Sequence, residues 1–205
     1  MDVNTDMPSA RLVRAVQELS HARTLDDVQR VVRSAARELT GADGATFVLR
    51  DGDMCFYADE NAIAPLWKGL RFPMSACVSG WAMQHRASVA IEDISADPRV
   101  PADAYRPTFV RSLAMVPIRT TDPIGAIGNY WATHRTPTDE ELRLLQALAD
   151  STSIALENVT LYTTLERRLE ELTRALAAAR SAEDAARQEL EARQRAQEEL
   201  ARTED

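Results

Sequence analysis

The sequence predicts an α+β domain, an antiparallel sheet flanked by helices, that ends in one long helix. Three observations carry this. Amphipathic helical stripes open the chain, and strand-like runs then arrive as two hairpin pairs separated by short helical segments. All seven glycines and nine prolines lie before Thr138. The remaining stretch to Asp205 therefore lacks both helix breakers, and one helix can run for up to about 100 Å at 1.5 Å per residue.

The elements follow in order. Leu12, Val13, Val16 and Leu19 form a helical stripe within Pro8 to Ser20. Thr24, with Asp27 three residues on, is the expected cap of a second helix. Leu25, Val28, Val31, Val32, Ala35 and Leu39 lie on one face of it, and Gly41 ends it. ATFVLR and MCFYA around an Asp-Gly turn read as a hairpin, on their β-branched and aromatic content. Asn61 to Phe72 should hold a short turn or helix, then a strand near Leu70 to Pro73. Ser79 to Arg86 reads as a short helix and SVAIED as a short strand. Asp97-Pro98 is the expected start of a further helix, with the cap at Asp97. SLAMVPIRT and GAIGNYWAT are two longer strands joined by a tight TDPI connection. Thr138 and Glu141 then form a capping box opening the long helix.

Leu142, Leu145, Ala149, Leu156 and Val159 make a stripe suited to packing on the domain's own sheet. From Tyr162 a heptad is legible. Its a positions are Tyr162, Leu169, Leu176, Glu183, Leu190 and Gln197, and its d positions Leu165, Leu172, Ala179, Ala186, Arg193 and Leu200. The seam is strong from Leu165 to Leu176 and weak beyond. A dimeric coiled coil is the expectation, because isolated helices of this length rarely stand without a partner. The alternative is a solvated single helix held by charge pairs. The acidic, uncapped end Arg202-Thr203-Glu204-Asp205 reads as a helix cut short, so the chain is expected to be the front of a longer protein. The domains expected are an N-terminal helix at 1–22, a sensory domain at 23–160 and a signalling coiled coil at 161–205.

Composition narrows the function. The net charge is −8, Lys68 is the sole lysine, and the arginines are scattered among acids. No basic stripe suits a phosphate backbone, so nucleic acid is not an expected partner. No signal peptide and no membrane span is legible, and two cysteines do not make a disulfide framework. A cytoplasmic location is expected.

The stretch FPMSACVSGWAMQHRASVAIEDISADPRV, followed by RSLAMVPIRTTDPIGAIGNYWATHRTPTDEELRLLQALADSTSIALENVTLY, resembles a GAF domain of the type found at the front of bacterial sensor histidine kinases. The resemblance rests on Ser79-Gly80-Trp81, on Ile91 to Ile94 followed by Asp97-Pro98-Arg99, on Ser112 to Pro117 and Pro123 to Gly128, and on the helix from Thr138 to Asn158. It spans roughly residues 8 to 160. It implies helices on one side of the sheet and a small-molecule pocket on the other, under the middle segments. It further implies a homodimer through the terminal helices and an output module beyond the coiled coil. For a kinase, that module would begin with a phosphoacceptor histidine helix. His21, His85 and His134 sit in no such helix, so this chain alone is not expected to be an enzyme.

Candidate pocket residues are Trp81, Tyr105 and Trp131 as aromatic faces, with Cys77, Asp93, Arg111, Ser112 and Asn129 as polar contacts. Arg111 near Asp93 suits an anionic or zwitterionic ligand, with Arg106 competing for the role. The competing reading makes the aromatics core and the charges rim. Cys77 at a helix start could have a lowered thiol pKa and serve as a redox sensor, or it could be a small buried residue. Asp53-Met54-Cys55-Phe56 matches the Asp-x-Cys-Phe motif of some bilin-binding relatives of GAF domains, without the Cys-His pair that holds the chromophore in most of them. Free methionine sulfoxide reduction, another GAF-type activity, uses a cysteine pair or trio, and two cysteines are present. Asn129, Asp139 and Glu140 echo the cyclic-nucleotide signature, but Tyr130 replaces its lysine, and first-turn acids already account for the other two. No histidine pair suits haem and no cluster has metal-ligand spacing. The cofactor is left unassigned. The expected function is a sensory domain that binds a small molecule and signals through a dimeric coiled coil to a kinase module. Its alternatives are a ligand-free dimerisation module and a cysteine-dependent redox sensor or reductase.

Overall fold

In the computed structural model, which describes residues 8–203 and the side-chain surroundings of 8–198, each strong local signal becomes an element. Residues 1–7 of the expected N-terminal segment, the side chain of the d-position Leu200, those of Arg202 and Thr203, and Glu204 with Asp205 lie outside this description.

Helix α1 spans Pro8–His21 and α2 Leu25–Thr40. Thr24 Oγ1 accepts from Asp27 N while Asp27 Oδ2 accepts from Thr24 N, which completes the capping box. Gly41 closes α2 at φ 63°, a left-handed conformation that glycine adopts without a Cβ penalty. The hairpin is β1 (Gly44–Asp51) and β2 (Met54–Ala62). After it come β3 (Arg71–Pro73), a 3-10 turn at Met74–Ala76, and α3 (Val78–His85). Then follow β4 (Val89–Ile91), α4 (Ala102–Tyr105), β5 (Ser112–Ile118) and β6 (Gly125–Trp131). Helix α5 runs Asp139–Thr203 and opens with the Thr138–Glu141 box.

One open expectation is settled and one is corrected. Of the turn or helix expected within Asn61 to Phe72, the structure has the turn, followed by β3: Glu60 gathers the backbone N–H groups of Leu66, Trp67 and Lys68 on its carboxylate. Asp97-Pro98, by contrast, does not start a helix. Asp97 Oδ1 accepts from Arg99 N at 2.9 Å and Val100 N donates to the Asp97 carbonyl at 3.1 Å, so the carboxylate stabilises a turn. Helix α4 begins four residues after Pro98.

The six strands form one antiparallel sheet in the order β3-β2-β1-β6-β5-β4. Helices α1, α2 and the first turns of α5 pack on one face through Val28, Val32, Phe47, Ile127, Leu145 and Leu148. The other face is covered by α3, α4 and the middle loops, with Val48, Tyr57, Met83, Leu113, Met115 and Tyr130 in its core. A bulge where β1 passes from Phe47 to Val48 shifts the pairing with β2. Tyr57 therefore enters the second core, while Asp59 turns back to Arg33 of α2.

The chain divides into two units at Val159–Thr160. In the second, every described side chain from Thr160 to Glu198 is exposed, including Leu165, Leu169, Leu172 and Leu176. Ion pairs at helical spacing line it, among them Arg174–Glu170, Arg187–Asp184 and Arg193–Glu189. Among the described residues, no helix is long and apolar enough to cross a membrane.

Candidate functional site

On the face away from α2 and α5, β-strand alternation sends Tyr57 and Tyr130 inward, and the Glu60-ordered turn adds Trp67. The rings interlock. Trp67 lies 4.6 Å from Tyr105, 5.4 Å from Tyr130 and 5.5 Å from Tyr57 between centroids. Trp67 Nε1 donates to the Ala104 carbonyl, and the Tyr130 and Thr46 hydroxyls bond at 2.9 Å. The region directly under the middle of the sheet is thus filled by the protein's own aromatics.

An open cavity of about 370 Å³ remains beside this cluster, lined by Asp93, Ser95, Tyr105, Arg106, Arg111 and His134 with apolar Ile94, Val100 and Ala102. Arg111 is fixed where β5 begins and β6 ends, because its N–H donates to the Trp131 carbonyl and its carbonyl accepts from Ile94 N. Asp93 is held by the Ser95 hydroxyl at 2.6 Å and the Ser95 amide at 2.8 Å. These bonds hold its carboxyl below the usual range, with His134 and Arg111 adding favourable charge. His134 Nδ1 lies 3.7 Å from Asp93 Oδ1. Tyr105 is 3 % exposed, and its hydroxyl has no hydrogen-bond partner among the described residues. Burial first, then the neighbouring Tyr130 and Cys77, pushes that phenol well above its ordinary pKa, so it is a protonated donor.

The eight expected pocket residues are dispersed. Asp93, Tyr105 and Arg111 meet at the cavity. Cys77 is buried at the head of α3, and its sulfur accepts from Gly80 N at 3.4 Å. Trp81 lies in the same helix, stacked on His85 with Arg99 over its ring at 4.7 Å. Ser112 is buried and donates to the Thr133 carbonyl. Asn129 and Trp131 face the opposite core. The Asn129 amide donates to the Ala36 carbonyl and to Thr40 in α2, and Trp131 packs among helix-facing residues. The structure thus sets these two away from the cavity, since Asn129, Trp131 and the helix-packed Ile127 alternate with Tyr130 along β6. The echo of a cyclic-nucleotide site at Asn129 becomes a strand-to-helix tie.

His134 and Ser95 line the cavity yet carried no strong pattern in the sequence: Ser95 sits in the loop after β4, and His134 follows β6, which returns beside β5. Trp67 and Tyr57 were likewise missed; the alternation Cys55, Tyr57 was the available signal. Among the described residues, no group of three or more His, Cys, Asp or Glu is arranged to hold a metal ion.

The GAF domain sequence profile matches residues 22–157. No curated protein sequence matches the chain significantly. Among solved structures, the chain is similar to a free methionine-R-sulfoxide reductase from Neisseria meningitidis with its substrate. The identity is 19 %, the TM-score 0.66, and 75 % of this chain and 90 % of that one are covered. It is similar to the GAF domain of a phosphoenolpyruvate-protein phosphotransferase from Coxiella burnetii, at 16 % identity, TM-score 0.68 and coverage of 78 % and 99 %. The GAF-B domain of DevS from Mycobacterium smegmatis matches at 21 % identity, TM-score 0.55 and coverage of 70 % and 98 %. At these identities the structures share the fold, and the profile match over most of the chain gives it a family: this protein belongs to the GAF domain family.

Proposed function

We propose that this chain is a cytoplasmic sensory GAF domain that binds a small anionic or zwitterionic molecule and signals through a dimeric α5 to a histidine kinase module further along the parent protein. The observation carrying this reading is the cavity lined together by Arg111, Asp93, His134 and Tyr105. Its volume, about 370 Å³, is in the range of small-ligand sites, and its mixture of apolar wall and few polar groups is typical of them. Arg111 would take a carboxylate or phosphate oxygen and Asp93 a cationic group, while the Tyr105 ring would form part of the wall. The chain itself catalyses nothing in this reading. Ligand binding shifts the population between two arrangements of the paired helices, for which a coupling of about 1–3 kcal/mol suffices.

Native mass spectrometry of the purified chain tests this. A dimer with a retained non-covalent mass is expected. That mass should be lost in the Arg111→Ala chain, since a charged hydrogen bond contributes about 1.5–3 kcal/mol, tenfold or more in affinity. The interlocked aromatic cluster favours a second reading, a ligand-free dimerisation module. A bare dimer that binds no small anion or amino acid in calorimetry would select it.

A further inference from the structure

Cys55 and Cys77 stand twenty-two positions apart in sequence, yet the fold brings their thiols together. Three backbone rungs pair β2 with β3, namely Met54 with Pro73, Cys55 with Phe72 and Phe56 with Arg71. Met74 N adds a bond to the Asp53 carbonyl at 2.9 Å. The single 3-10 turn Met74–Ala76 then folds the chain back over β2, so that Cys77 arrives beside Cys55. The Ser79 hydroxyl lies 3.3 Å from Cys77 Sγ and 3.1 Å from the hydroxyl of Tyr57, which shares a face of β2 with Cys55, and the two thiols perturb each other's titration.

The two sulfurs are not equivalent. Cys77 caps α3 and receives Gly80 N at 3.4 Å, so the first turn of an eight-residue helix faces its sulfur. It keeps 5 % of its surface in contact with solvent, whereas Cys55 has 0 %. The Cys55 hydrogen bond, then Ser79 and the α3 amides, lowers the Cys77 pKa against the opposing effect of burial. That same bond to Cys77, followed by burial, raises the Cys55 pKa and keeps its proton in place.

We infer that Cys55 and Cys77 form a redox-active dithiol site, in which Cys77 is the attacking sulfur, Cys55 the resolving one, and a small hydroperoxide the oxidant. The Cys77 thiolate attacks the terminal peroxide oxygen. The O–O bond breaks, the leaving alkoxide (hydroxide, for hydrogen peroxide) takes a proton from water, and Cys77 becomes a sulfenic acid. Cys55 sulfur then attacks Cys77 sulfur. An S–S bond forms, and the sulfenic oxygen departs as water with the Cys55 proton. Two cysteines are oxidised by two electrons while one peroxide is reduced to alcohol and water. Closure requires the sulfurs to move to about 2.05 Å apart. The site is separate from the Asp93–Arg111 cavity and stands whether or not that cavity holds a ligand.

The test treats the full chain with hydrogen peroxide, blocks remaining thiols by alkylation, and measures intact mass and linked peptides without reduction. An intrachain Cys55–Cys77 link is expected, seen as the loss of two hydrogens and reversed by dithiothreitol. The Cys55→Ser chain should stop at a sulfenic acid on Cys77, trapped by dimedone. The inference is overturned if both thiols stay reduced and alkylate only after unfolding. Oxidation of one cysteine to a sulfinic acid without a link, or links between chains alone, overturns it as well. The wild-type peptide map decides the question even if the serine variant does not fold.

Discussion

A Cβ at position 80 would sit 2.0 Å from the Met74 carbonyl oxygen, so the first turn of α3 can press on the 3-10 turn only because residue 80 is glycine. This contact holds the α3 amides at Cys77. Gly80→Ala must push the two turns apart, and an overpacking cost of about 1–3 kcal/mol is expected as a lower urea midpoint. Asp97 contributes differently. Hydrogen bonds from Arg99 lower its folded pKa below the unfolded value of about 3.9. Its contribution is therefore fully present above about pH 4 and lost as pH falls through the folded value. Comparing wild type with Asp97→Asn should show a difference of about 1 kcal/mol or less at neutral pH that vanishes in acid. Single residues also show where sequence reading stops. Every residue of β5 and β6 is buried, so no polar face betrays the orientation of either strand. Asn129 could thus be read as a pocket residue, although its amide belongs to α2.

At the scale of elements, what was legible was local. Thr24–Asp27 and Thr138–Glu141 are three-residue signals, and both capping boxes form as the pattern requires. Asp97-Pro98 failed because the same carboxylate that caps a helix also closes a turn, and Arg99 at the next available donor decided between them. The turn at Trp67 could be read only as a turn or a helix because its organiser, Glu60, lies in a strand and acts at six to eight positions' distance. In α5, the ion pairs are exposed and each contributes a few tenths of a kcal/mol, too little to explain a row of bare leucines. Leu169 and Leu172 are 55 % and 66 % exposed in the single chain, as a seam awaiting a second copy would be. Replacing both with Asp should yield monomers in sedimentation or light scattering while the domain's circular dichroism persists. A surviving dimer would remove the seam from the account.

Over the molecule as a whole, a sheet sandwiched between two cores leaves the ligand question to its rim. Helix-side residues bind the sheet to α2 and α5, and the aromatic side fills itself except near the ends of β5 and β6. The fold class and the two-sided architecture were legible because their signals repeat along the chain. The cavity was half legible. Asp93, with Ser95 two residues on, and Arg111 flank neighbouring strands in sequence, while His134 joins them only through the return of β6.

The contact between Tyr105 and Trp67 gives the domain a built-in optical reporter. Tyr105 is at once part of the cavity wall and the ring packed 4.6 Å from the Trp67 indole. Any molecule that packs against Tyr105 from the cavity must alter the surroundings of a deeply buried emitter, whereas Trp81 lies in α3 and Trp131 in the opposite core. Binding at this cavity should therefore shift the intrinsic fluorescence, and the shift should disappear in Trp67→Phe but persist in Trp131→Phe.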